Sequence, residues 1–196
     1  MKKLLFICIC LFGAFTTKAQ GVHGGFSGGS QLLKIEAGYS LNENIHVGGY
    51  YSLGMDLNAI PLPSSYGIYG RYSFEKSDLF SNDWIQVTAR PYVGASVGQI
   101  HTNEIVSTTT TLSFPFSSST SKVTPAKTEM GYLASAGVEL LYGSNSSWGT
   151  FFEIGLGKAP NYFKAITSTL NSLDNNSTPD GTGTFSFNAG FRFYLQ

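Results

Sequence analysis

Along almost the whole chain, apolar side chains return at every second position. The closing stretch "TFSFNAGFRFYLQ" is the clearest case. Phe185, Phe187, Ala189, Phe191, Phe193 and Leu195 alternate with Ser186, Asn188, Gly190, Arg192 and Tyr194. Period two is the mark of a β-strand whose two faces meet different surroundings. The same alternation runs through 32–40, 44–56, 65–75, 84–100, 129–142 and 148–157, and a Gly-rich opening near 20–27 has room for one more strand. Clusters of Gly, Asn, Ser and Pro separate these runs, as turns require. Pro91 lies inside the fifth run. The parity is unchanged across it, so it is expected to remove one ladder hydrogen bond without shifting the register.

Eight strands are therefore predicted, and the connections between them alternate in length. Short turns follow the second, fourth and sixth strands ("LNEN", "KSDLFSND", "GSNSS"). Longer segments follow the third, fifth and seventh, near 57–64, 102–126 and 158–183. An even number of antiparallel strands, with short turns at one end and long loops at the other, is the layout of a transmembrane barrel.

The N-terminus reads as a cleaved export signal. Lys2 and Lys3 precede the apolar run "LLFICICLFGAF", and Thr17 and Ala19 supply the small residues of a cleavage site. The expected organisation is a signal over 1–19 and one barrel domain over 20–196. Removal of 1–19 takes away both cysteines, Cys8 and Cys10, so neither a disulfide nor a cysteine-based site is expected. It also removes Lys2, Lys3 and Lys18, lowering the basic count from 12 to 9 against 12 acids, a net charge of −3. Such a balance gives no basic patch for nucleic acid. Charged residues are 12% of the chain, against about 25% in ordinary soluble proteins. No later apolar stretch reaches the roughly 18 residues that a transmembrane helix needs. An exported chain this poor in charge, with no spanning helix, points to an all-β, eight-stranded antiparallel up-and-down transmembrane β-barrel.

The polar faces carry mostly Gly, Ser, Thr and Tyr with one or two charges per strand. A face turned to water would be richer in Lys and Glu, so the polar face is expected to line a narrow lumen and the apolar face to meet lipid. Lys34, Arg71, Arg90 and Arg192 then share the lumen with Glu36, Glu75, Glu129, Glu139 and Glu153. Buried charges are tolerated when paired, which predicts an Arg–Glu network. Tyr50, Tyr69, Tyr92 and Phe151 are candidates to line a cavity in the upper lumen. Tyr39, Trp84, Tyr142 and Trp148 lie beside the short turns, where an interfacial aromatic girdle belongs, although Trp84 has lumen parity.

These features together resemble the small eight-stranded outer-membrane barrels of Gram-negative bacteria, of the OmpA, OmpX and OmpW kind, over the whole mature chain. The resemblance rests on strand number, loop alternation and the last strand. In that strand Asn188, Gly190, Phe193 and Leu195 occupy the places of the assembly signal, followed here by Gln196. It implies outer-membrane lipid as surroundings, the barrel assembly machinery as a partner and a monomeric state.

Little chemistry is legible. His23, His46 and His101 are scattered, without metal-ligand spacing, and no cofactor is expected. His101 with Glu104 and Ser107 is a candidate rim cluster for a lipid-modifying enzyme, but it matches no motif. The Ser/Thr-rich stretch "STTTTLSFPFSSSTSKVT" reads as a solvated external loop or strand extension, with Phe114 and Phe116 as contact candidates, and 162–172 has room for a short helix. Eight strands leave an interior that side chains just fill, so no pore is expected. The expected role is non-enzymatic, in envelope integrity or surface interaction through the loops. The alternatives are a carrier of small hydrophobic molecules and, behind it, the enzyme.

Overall fold

The computed structural model describes residues 21–54, 56–57, 60–61, 63–81, 86–102, 105–113, 116–143, 147–161, 164 and 182–195. Eight long strands form the wall: β1 (Gly21–Gly29), β2 (Leu32–Ser40), β3 (Ile45–Leu53), β4 (Ser64–Ser73), β5 (Gln86–Thr102), β6 (Lys127–Tyr142), β7 (Trp148–Pro160) and β8 (Thr182–Leu195). Each pairs antiparallel with the next, and β8 pairs with β1. The chain is a closed eight-stranded β-barrel. Closure removes the free edges that an open sheet would present.

The register carries the predicted parity around the ring. On the inner face, Glu36 lies opposite Tyr50, His46 opposite Arg71, Arg90 opposite Glu139, and Glu153 opposite Asn188. The β5–β6 ladder runs without a shift through the pair Pro91–Val138. One irregularity interrupts β7–β8 between Leu156 and Ala159, where Gly157 has a φ of +150°, a conformation open to glycine and strained for other residues.

Burial is inverted relative to a water-soluble protein. Polar and charged side chains outnumber apolar ones in the interior, whereas Phe26, Ile35, Ile68, Phe152, Ile154, Leu156 and Phe187 are exposed on the outside. Inward glycines make room for large side chains from neighbouring strands. A Cβ on Gly137 would stand 2.6 Å from the Tyr92 ring, and one on Gly48 would stand 2.8 Å from the Tyr69 hydroxyl. The small lumen-face residues of the sequence are thus seats for a few large ones.

Beyond the wall, Ser77–Ser81 pairs with the start of β5 and lengthens what the sequence presents as a short turn. The Ser/Thr-rich stretch is a ribbon, with Ile105–Ser113 paired antiparallel to Phe116–Thr124. It continues the line of β5 and β6 past the barrel. Phe114 and the helix expected over 162–172 fall outside the described residues, apart from Lys164, which is helical.

Candidate functional site

The lumen holds the densest set of chemically distinctive groups. At the level nearest the short turns, Arg90 donates to Glu139 from Nε (3.1 Å) and Nη2 (2.6 Å). The Tyr194 hydroxyl lies 2.7 Å from Glu139 Oε1 and 2.6 Å from Arg90 Nη2. His23 and His46 pack beside Tyr194, with ring centroids 5.9 and 6.1 Å from it. The His23 Nε2 is 2.6 Å from the Tyr69 hydroxyl, and the Ser40 hydroxyl is 2.9 Å from His46 Nδ1.

One layer further in, Glu36 Oε1 accepts from Arg71 Nη2 at 3.0 Å and from Arg192 Nε at 2.5 Å. Both guanidinium groups lie over the Tyr92 ring, at 5.0 and 4.8 Å from its centroid, and Arg192 also covers Phe151 at 3.6 Å. Above this, Lys34 faces Glu153 at 3.8 Å, and Glu153 accepts from the Tyr92 and Ser135 hydroxyls at 3.2 and 3.3 Å. Ile100 and Leu133 are buried nearer the loop end.

Seven of the nine charged candidates therefore meet inside: Lys34, Glu36, Arg71, Arg90, Glu139, Glu153 and Arg192. The other two do not. Glu75 lies beyond the end of β4 and is exposed, because the strand stops at Ser73. Glu129 has inward parity but sits at the loop end, where its Oε2 is shared by Lys127 at 2.7 Å and Lys158 at 2.9 Å. The four ring candidates do not line a common cavity. Tyr69, Tyr92 and Phe151 are buried against the arginines, and Tyr50 lies under Lys34, 5.3 Å from its Nζ. A cleft between Lys34, Arg71, Ser135 and Glu153 measures about 20 Å³, room for one water.

Sequence reading overlooked His23, His46 and Tyr194. The only signal for them was parity, shared with Glu36 and Arg192. In the assembly-signal stretch, Phe193 and Leu195 face outward and Asn188 is buried in the lumen. A Cβ on Gly190 would stand 2.6 Å from that of Ser27, so this glycine is also needed by the wall itself. Tyr142 stacks on Trp148 at 4.5 Å near the short turns, whereas Trp84 lies outside the described residues. At the rim, His101 Nδ1 is 2.7 Å from the Thr128 hydroxyl, and its ring stacks on Tyr66 at 5.4 Å. Glu104 lies outside the described residues, as does the side chain of Ser107. No group of metal-binding side chains is found among the described residues.

Removing Arg90 leaves the Glu139 carboxylate buried beside a single tyrosine hydroxyl. Arg90→Ala is expected to cost about 3–5 kcal/mol, read as a lower urea midpoint of the barrel in micelles. An unchanged midpoint would show that this pair contributes nothing.

No protein-family profile matches the chain, and no curated protein does. Among solved structures, it is similar to the N-terminal β-barrel domain of Pseudomonas aeruginosa OprF. The identity is 11%, covering 89% of this chain and 95% of that one, with a TM-score of 0.44. It is also similar to Ail, the attachment invasion locus protein of Yersinia pestis, at 14% identity over 88% of this chain and 94% of that one, with a TM-score of 0.27. A third is the outer membrane protease OmpT from Escherichia coli, at 10% identity over 89% and 94%, with a TM-score of 0.24. Identities and scores this low transfer no role to the chain, and the barrel rests on its own strand pairing.

Proposed function

We propose that the mature chain is a non-enzymatic outer-membrane barrel that spans the bilayer with eight strands and acts at the cell surface through its loop end. One observation carries this reading: the outer surface is a continuous apolar belt, while the charges lie inside. Such a surface is unfavourable in water and favourable in lipid, where every backbone group must be paired internally. The termini of the barrel and the short turns belong on the periplasmic side, and the stacked Tyr142–Trp148 pair fits that interface. The ribbon 105–124 then projects outward and is the element best placed to meet a partner. Insertion would use the barrel assembly machinery, with the last strand as its address.

The carrier reading needs ligand-sized room in the lumen, and there Tyr92 and Phe151 are packed under Arg192. The enzyme reading needs an acid to orient a base, and the hydrogen-bond partner of His101 is Thr128.

Two measurements test the proposal. In cell fractionation the chain should sediment with outer membranes, and brief protease treatment of intact cells should clip the ribbon and leave the wall protected. In planar bilayers the refolded barrel should show no conductance above baseline. Recovery in the soluble periplasmic fraction would overturn the location, and stable open channels would overturn the filled lumen.

A further inference from the structure

The inner face carries one positive charge too many. Among the described residues, the buried cations are Lys34, Arg71, Arg90 and Arg192, and the buried carboxylates are Glu36, Glu139 and Glu153, an excess of +1 even with both imidazoles neutral. The pairing locates the surplus. Arg90 matches Glu139, and Lys34 faces Glu153 at 3.8 Å. Arg71 and Arg192 converge on the same oxygen of Glu36, so two guanidinium groups share one negative charge. Each also has a buried terminal nitrogen, Nη1, with no protein acceptor. Opposite Arg71 in the β3–β4 ladder stands His46, whose Nε2 is likewise buried without a partner. With the Ser40 hydroxyl donating to Nδ1, that Nε2 carries a proton and is a third unmatched donor.

An uncompensated charge in a dry interior is expensive. The aromatic faces of Tyr92 and Phe151 soften it but add no negative charge, and a water would satisfy a donor without neutralising the excess. We propose that the barrel holds one small monovalent anion, chloride in kind, beside Arg71, Arg192 and His46. The size follows from the packing: the cleft next to Arg71 measures about 20 Å³, one small particle's worth of space, which excludes carboxylated or phosphorylated ligands. Glu36 and Glu153 line that cleft as well, so the anion belongs on the Arg192 and His46 side of Arg71. Bound there, it completes the plug that keeps the lumen closed.

The barrel can be refolded and crystallised with bromide in place of chloride. The expected result is one anomalous bromine peak within hydrogen-bond reach of Arg71 and Arg192. An empty lumen, or bromide only at exposed lysines (an adventitious ion only), overturns the site. In solution, melting in urea is compared after refolding in chloride and in gluconate at equal ionic strength. At ten times the dissociation constant, chloride should raise the midpoint by about 4 °C, and equal midpoints overturn the proposal. His46→Glu places a carboxylate next to Arg71 and should abolish the chloride shift. A folded His46→Glu barrel that keeps the full shift also overturns the site, and if that variant fails to fold, the two wild-type arms decide.

Discussion

Glu36→Gln should destabilise the barrel by about 3–5 kcal/mol, the largest effect expected of any isosteric change in this chain. The side chain keeps its size and one carbonyl acceptor, but the charge that holds Arg71 and Arg192 is lost. Both guanidinium groups are buried and tied into ring contacts, so neither can swing out to water without unpacking the wall. The measurement is the urea midpoint of the folded form in micelles, followed by heat-modifiable gel mobility. Glu129→Gln is the control. That carboxylate also serves two cations, but at the rim, with the side chain of Lys127 69% exposed, and exposed pairs contribute about 0–1 kcal/mol. Equal effects at the two positions would mean that burial gives the lumen network no special weight. Because Arg192 depends on Glu36, Arg192→Met combined with Glu36→Gln should cost less than the two changes summed.

The contrast between Glu36 and Glu129 also marks where the sequence was readable. Parity assigns a side chain to a face, and it assigned both acids to the lumen. It says nothing of height along the axis, and height separates a buried pair from a rim pair. Glu75 fails for a related reason: alternation continues past the last ladder bond, so the pattern does not reveal that β4 stops at Ser73. The wall was legible because its period is local, and eight runs with alternating connection lengths left few other ways to close. The layering inside was not, since it comes from pairs far apart in sequence, such as Glu36 with Arg192 and Arg90 with Tyr194. The histidines illustrate this best. Scattered along the chain, His23 and His46 show no metal spacing, yet the β1–β2–β3 register brings their rings to 5.5 Å. The Ser/Thr-rich stretch was readable only as polar. Its β-branched threonines suit a strand as well as a loop, and the ribbon is what they form.

Ile154→Arg separates a lipid-facing surface from a water-facing one. Ile154 lies mid-strand in β7, between Ala136 and Phe187 on the neighbouring strands, and is 59% exposed. In a soluble protein, an arginine at so exposed a position would be neutral and would improve solubility. On the lipid face near the bilayer midplane it should cost about 2–4 kcal/mol, because the charge must be drawn to the interface or solvated by a local defect. The comparison is between folding equilibria in lipid vesicles for Ile154→Arg and for Phe193→Arg, close to the turn end, where the penalty falls to about 0–1 kcal/mol. The lumen network is untouched by either change, so a difference between them reports depth in lipid and nothing else about the barrel. A depth-dependent penalty supports the spanning reading. Equal and negligible effects would mean that the apolar belt does not meet a bilayer core, and the phenylalanines of the last strand would then need another partner to cover them.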